Sequence, residues 1–253
     1  MNRTHDGRAT AESVVLSTGH EVRFPLETAA SITGAVVPCS RSAAADLLPA
    51  PLSPVGLTPE RAVLTFLCVD YHEVSVDGLD PYREFGVLVP ALEPDERSVP
   101  GVSPFTRGVS GYVWFLPVTT EPARALGVEG WGYPKTVAEI SMAETERGRE
   151  TTVHVDGEHL ATVTVDPPPT VGLRLPSRSY TELDGRLVRE RLELDGQIGA
   201  WPASKRVSIE LGSHPRADEL RRLDVGTRAL FRFAADATFT IHGGVPVDPG
   251  RSW

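Results

Sequence analysis

The sequence predicts a single, mainly β domain, a β-rich α+β chain over all 253 residues. Three observations predict it. The 23 glycines and 22 prolines imply many turns, which suit short strands better than long helices. Apolar residues recur with a period of two, or in short unbroken runs bounded by turn residues, as in half-buried and fully buried strands. Asp-Gly pairs at 77–78, 156–157, 184–185 and 195–196 fall between such runs and read as turns. Hydrophobic residues make up 40% of the chain, enough for a substantial core. The strand pattern by itself leaves a barrel and a sandwich open.

Residues 1–12 are polar and are expected to be a disordered tail. Residues 14–24 read as a strand pair or a bent strand, and 35–38 as another strand. Ser42 is placed to cap a short helix over 43–48, which Pro49 and Pro51 end. Residues 63–69 are an unbroken apolar run, so a strand buried on both faces is expected, carried on by 72–76 to the first Asp-Gly turn. In residues 82–89 the period of two puts Tyr82, Glu84, Gly86 and Leu88 on one face, with Arg83, Phe85, Val87 and Val89 on the other. Glu84 is then an acid among mostly apolar neighbours. Either it pairs with an arginine or it takes part in chemistry.

Residues 93–108 are acidic and rich in proline, glycine and serine, and read as a loop. Residues 111–118 form a strongly apolar strand, with Tyr112, Trp114 and Leu116 sharing a core-facing side. Thr120 caps a short helix, with Pro122 in its first turn and Gly127 as its stop. Segments 137–145, 150–155 and 159–165 then read as a meander. His154 and His159 flank its Asp-Gly hairpin as cross-strand neighbours; without a third ligand they are taken as surface residues, and no metal site is assigned. Further strands are expected at 171–176, 180–183 and 186–194. Arg186, Arg189 and Arg191 form a solvated cluster balanced by Glu190 and Glu193. Trp201 lines a cavity or simply packs. Residues 207–211 are a strand, Ser213 caps a helix from 215 to about 223, residues 228–240 close the sheet, and the tail from 245 is irregular.

The formal net charge of −9 argues against a nucleic-acid or anionic-membrane surface. No apolar run reaches transmembrane length, and the N-terminus lacks a signal-peptide core. Cys39 and Cys68 have neither metal nor redox spacing, so reduced packing residues and a cytoplasmic setting are expected. Nucleotide, zinc-protease and serine-hydrolase motifs are absent from the sequence.

Lysine occurs only twice, at 135 and 205. Lys135 follows Trp131, Tyr133 and Pro134 and leads into an alternating, strand-like run. An amine in an apolar pocket loses hydration of its charged form and becomes a nucleophile near neutral pH, as Schiff-base chemistry on a carbonyl requires. A snorkelling strand lysine is the alternative.

The segment Gly127, Glu129, Tyr133, Pro134, Lys135 resembles the active-site G-x-E-x-x-x-Y-P-K of the acetoacetate decarboxylase superfamily. Four other stretches resemble that family in the same order: VVPCSRSAAADLLPAPL, DPYREFGVLVP, TTEPARALG, and the long segment from LDGQIGAWPASK to ADELRRL. Together they cover most of residues 20–247. The resemblance implies a closed β-cone or barrel with a few peripheral helices, a lysine reaching an enclosed cavity, and a homo-oligomer. It implies Lys135 as nucleophile and places Glu84 at the family's acidic position, in proton transfer or in orienting the lysine. Tyr82, Glu129, Tyr133 and Trp131 are the candidate substrate-binding residues, with Glu129 equally open to a structural role.

The chain also departs from the family. The decarboxylases' second lysine is Thr136 here, and the positions of a family arginine and acid fall close to Ala30 and Leu67. The reading is a lyase acting on a small oxo acid through Lys135, without metal or cofactor. It decarboxylates a β-keto acid, or performs aldol condensation and dehydration on a pyruvate-like acid. The competing reading is a non-catalytic small-molecule-binding protein on the same scaffold.

Overall fold

A computed structural model describes residues 13–97, 99, 110–226 and 228–247, with the side chains of 203 and 204 excepted. The expected N-terminal tail, most of the 93–108 loop and the last residues of the tail lie outside these. The strands run in chain order as β1 (Ser13–Val15), β2 (Glu21–Arg23), β3 (Leu26–Ser40), β4 (Ser53–Pro54), β5 (Arg61–Val74), β6 (Tyr82–Val89), β7 (Ala91–Leu92), β8 (Gly111–Val118) and β9 (Lys135–Val137). They continue as β10 (Glu139–Thr145), β11 (Gly148–Val155), β12 (Glu158–Val165), β13 (Val171–Leu183), β14 (Arg186–Ser204), β15 (Val207–Leu211), β16 (Ala229–Ile241) and β17 (Val245–Pro246). Among the described residues three short helices interrupt them: α1 (Arg41–Asp46), α2 (Glu121–Trp131) and α3 (Pro215–Arg222).

The principal sheet has the order β13-β14-β16-β3-β5-β6-β8-β9. A short parallel contact, Gly111 opposite Ser179 and Tyr112 opposite Tyr180, joins β8 to β13 and closes the path into a ring. A second sheet, β10-β11-β12-β15, lies against the outside of that ring. The strand period explains both cores. On β5, Val63, Val69 and Tyr71 point into the ring, whereas Leu64, Phe66 and Cys68 point outward. The outward set packs against Ile140, Val153, Leu160 and Val163 of the second sheet and Leu220 of α3. The unbroken apolar run is therefore buried on both faces, as its composition predicts. Cys39 and Cys68 are free thiols in this outer core, and burial pushes both up to about 12. No helix among the described residues is long and apolar enough to cross a membrane.

Several boundaries differ from the sequence expectation. Helix α1 is capped by Ser40 rather than Ser42, and α3 by His214 rather than Ser213. The separate strands expected on either side of residue 178 are one strand, β13. The Asp195-Gly196 pair makes no turn: β14 runs straight through it, hydrogen-bonded to β13 on one side and β16 on the other. A Cβ on Gly196 would sit 2.4 Å from the Asp236 carbonyl oxygen, so this glycine serves a close strand approach. Trp201 neither packs nor lines the cavity; it is 55% exposed. Tyr112, Trp114 and Leu116 do not share one environment. The β6–β8 register shifts at Val87/Leu88, Leu116 joins the inner core, and Trp114 packs in the outer one. His154 and His159 are cross-strand neighbours as expected, with ring centroids 5.2 Å apart.

Candidate active site

Helix α2 delivers the chain to the lysine. The Thr120 hydroxyl accepts a hydrogen bond from the Ala123 N–H, and Pro122 fits the first turn, where its missing N–H costs nothing. The helix does not stop at Gly127; it runs to Trp131 and ends on Gly132 in the left-handed conformation, φ 74°. Strand β9 then pairs in parallel with β8, Lys135 lying opposite Leu116. The lysine side chain passes back across the helix. A Cβ on Gly127 would lie 2.3 Å from Lys135 Cε and 2.5 Å from Cδ. Gly127 is thus the gap that the lysine stem occupies.

Lys135 Nζ lies 2.7 Å from Glu84 Oε2, and both side chains are almost fully buried, at 4% and 5% exposure. Their alternating faces bring them together: Glu84 looks into the ring from β6, as its period predicts, and Lys135 enters from β9. The contact is an ion pair by distance, but its angles fall outside hydrogen-bond geometry, so Oε2 has no hydrogen-bond partner. Oε1 accepts a long bond, 3.4 Å, from the Tyr71 hydroxyl. The Tyr82 ring packs 4.5 Å from that of Tyr71, and its centroid is 5.4 Å from Nζ; Tyr133 is at 5.9 Å. Burial, and then the charge of Glu84, hold the phenols of Tyr71 and Tyr82 well above their ordinary value. Burial and then Glu190 do the same to Tyr133. All three stay protonated hydroxyls at neutral pH.

These groups line one cavity of about 520 Å³ inside the ring. Lys135, Glu84, Tyr82, Tyr133 and Trp131 all border it. Trp131 is anchored rather than loose: its Nε1–H donates to the His242 carbonyl, and its ring stacks on Tyr133 and meets Phe24 edge-on. Glu129 is the exception among the sequence candidates. It does not border the cavity; its carboxylate accepts the Ser17 N–H at 2.8 Å and the Ser17 hydroxyl at 2.5 Å, which ties the β1–β2 turn to α2. Leu67 borders the cavity, whereas Ala30 and Thr136 do not.

A second buried carboxylate escaped the sequence reading. Glu190 does not balance the surface arginines; it is fully buried. Glu193 does pair with Arg191, as expected, whereas Arg189 pairs with Glu93. The alternation along β14 held the signal: Val188, Glu190 and Leu192 share the buried face. Glu190 Oε2 accepts from the Ser179 hydroxyl at 2.9 Å, and Ser179 is 2.9 Å from the Tyr133 hydroxyl. Glu190 Oε1 lies 2.9 Å from the Thr181 hydroxyl, which also donates to the Trp131 carbonyl at 2.6 Å. Thr181 has one proton and two acceptors. That one proton is shared between the Trp131 carbonyl and the Glu190 carboxyl, so Thr181 satisfies Glu190 only in part.

Burial pushes Glu190 up to about 8 from an ordinary 4.5, against the hydrogen bonds donated by Ser179 and Thr181, which lower it. The folded chain then keeps a proton that the unfolded chain releases above pH 4.5. Its contribution to stability is full below that pH and declines as pH rises towards 8. Melting curves of the wild type and Glu190→Gln, whose amide reproduces the neutral acid's donor and acceptor, should therefore converge at pH 4.5. They should separate by several kcal/mol at pH 8.5 in favour of the variant, at about 1.4 kcal/mol per pKa unit. Parallel curves would mean that Glu190 is ionised when folded.

The acetoacetate decarboxylase family profile matches residues 16–249 of this chain. Among solved structures, an acetoacetate decarboxylase is similar over 89% of this chain and 90% of its own, with 18% identity and a TM-score of 0.63. The acetoacetate decarboxylase of Legionella pneumophila is similar over 88% and 87%, at 18% identity and 0.64. The enduracididine biosynthesis enzyme MppR, in complex with the condensation product of pyruvate and imidazole 4-carboxaldehyde, is similar over 90% of both chains, at 14% identity and 0.64. No curated protein sequence matches at significance. With the profile spanning nearly the whole chain, the protein belongs to the acetoacetate decarboxylase family.

Proposed function

We propose that the protein is a Schiff-base-forming lyase that acts on an oxo acid through Lys135. The observation that carries this reading is the buried Lys135–Glu84 pair, 2.7 Å apart inside an apolar, tyrosine-lined cavity. Passing one proton from the Lys135 ammonium to the Glu84 carboxylate leaves a neutral amine beside a neutral acid, with no net charge to solvate. The amine attacks the substrate carbonyl carbon to form a carbinolamine. The Glu84 carboxyl then protonates the departing hydroxyl, which leaves as water, and an iminium and a carboxylate remain. Glu84 Oε2 lies 2.7 Å from the attacking nitrogen and has no hydrogen-bond partner, which supports Glu84 as the group that handles this proton.

The iminium is an electron sink. From a β-keto acid, the bond to the carboxylate breaks, carbon dioxide leaves and the electron pair forms an enamine. From a pyruvate-like acid, Glu84 removes a proton beside the iminium, and the resulting enamine can add to an aldehyde. The MppR complex with a pyruvate condensation product, on a similar fold, supports keeping the second course open, as does Thr136 in place of a second lysine. Tyr82 and Tyr133 supply neutral hydroxyls to orient water or a leaving hydroxyl, and Trp131 walls the site.

The test is incubation with pyruvate or acetoacetate and a borohydride reductant, followed by intact-mass measurement and peptide mapping. A reduced adduct on Lys135 and none on Lys205 is the expected result. Folded protein that gives no adduct with any of a panel of oxo acids would turn the assignment to a binding protein on the same scaffold.

A further inference from the structure

The cavity is far larger than a compact oxo acid requires. At a liquid-like ~30 Å³ per non-hydrogen atom, its 520 Å³ holds about 17 such atoms, and an acid of pyruvate's size fills about a third of it. The polar groups are also unevenly placed. Glu84, Lys135, Tyr71, Tyr82 and Tyr133 stand on or beside β5, β6 and β9, and the two other polar lining residues, Ser177 and Ser179, on β13. Following the ring, β3 and β16 lie across from β8 and β9. Their cavity-facing side chains are Ile32, Phe231, Phe233, Ala235, Phe239 and Ile241, all apolar. Leu194 and Ile198 of β14 extend this wall towards solvent-exposed lining residues Leu175, Pro176 and Ala200. A small polar acid at Lys135 leaves most of this surface either wet or void, and both are unfavourable beside aliphatic and aromatic side chains.

Resting on the Schiff-base reading, the geometry points to a substrate class: a carbonyl compound whose ketone sits at Lys135 and whose extended apolar substituent, an alkyl or arylalkyl chain, lies along the β14–β16–β3 wall. Recognition of this substituent comes from burial, which is graded by chain length. Each methylene taken from water into the cavity tightens binding about fourfold until the space is filled. Ala235, opposite Ile32 in the β16–β3 register, is a small residue in a wall that also carries Phe231, Phe233 and Phe239. It leaves room for the chain, so its size sets how long a chain fits.

The experiment is reductive trapping with a homologous series of straight-chain 2-oxo acids and methyl ketones. In each case amine and ketone lose water to form the iminium, and borohydride delivers hydride to its carbon, fixing the adduct for mass measurement. The concentration giving half-labelling of Lys135 is expected to fall about fourfold per added methylene, then to level off or rise once the cavity is full. In Ala235→Leu the break should move to chains shorter by about two carbons. The wild-type series decides the question by itself where that variant does not fold.

Labelling of Lys135 that is indifferent to chain length, or best with the shortest acid, overturns the substrate class and leaves the Schiff-base reading standing. Calorimetry with the corresponding secondary alcohols, which cannot form an imine, separates the two ideas from the other side. Alcohols that bind more tightly as they lengthen, with no adduct from any ketone, uphold the apolar pocket and sink the Schiff-base reading. Failure of both series overturns both.

Discussion

Replacing Lys135 by methionine is expected to abolish the borohydride-trapped adduct and to lower turnover of any substrate by at least about 10⁴-fold, the scale on which losing a covalent nucleophile acts. The substitution has a second consequence. It leaves the Glu84 carboxylate, 5% exposed, without its cation, and breaking a buried pair from one side costs about 3–5 kcal/mol. Loss of activity must therefore be separated from loss of fold. The double variant Lys135→Met, Glu84→Gln removes both charges and should regain most of the stability while remaining inactive. Melting temperatures and trapping yields measured together on the wild type, single and double variants check this. An active Lys135→Met enzyme would remove the lysine from the mechanism. A variant that still bound its ligand, alongside a wild type without turnover, would favour the binding-protein reading.

Gly127→Ala is expected to damage chemistry while sparing the fold. Alanine in a helix interior is favoured over glycine by up to about 1 kcal/mol, which offsets part of the cost of shifting the buried Lys135–Glu84 pair, so the variant should fold with a moderately lowered melting temperature. The new methyl, however, would lie 2.3 Å from Lys135 Cε and 2.5 Å from Cδ. The lysine stem has to move, and Nζ leaves its 2.7 Å contact with Glu84. A displacement of about 1 Å at a reacting group costs about 100-fold, which the rate of adduct formation would read directly. Unchanged trapping by Gly127→Ala would show that the lysine has slack and that the helix does not set its position.

The two predictions draw on different levels of information. The segment from Gly127 to Lys135 is legible in the sequence, but the reason for its glycine is not. From the sequence, Gly127 reads as a helix stop; in the fold it lies inside α2, and the atoms that forbid a side chain there belong to Lys135. Gly196 is a similar case, since its turn signal is overridden by strands pairing on both sides. Glu129 and Glu190 exchange their expected surroundings for the same reason. Glu129, from the motif itself, holds Ser17 outside the cavity, while Glu190, which reads as a surface partner of arginines, is buried behind Tyr133.

The sequence by itself determined the β-rich class, the strands β6 and β8, and the face on which Glu84 points, because period-two alternation is a local property of the chain. It also singled out Lys135, through its rarity and its aromatic neighbours. Only the tertiary structure decided that Glu84 and Lys135 meet, that the sheet closes through β8 and β13, and that a cavity of about 520 Å³ with an apolar far wall lies within. Contacts between residues far apart in the chain depend on how strands from distant segments are ordered around the ring, and no local pattern encodes that order.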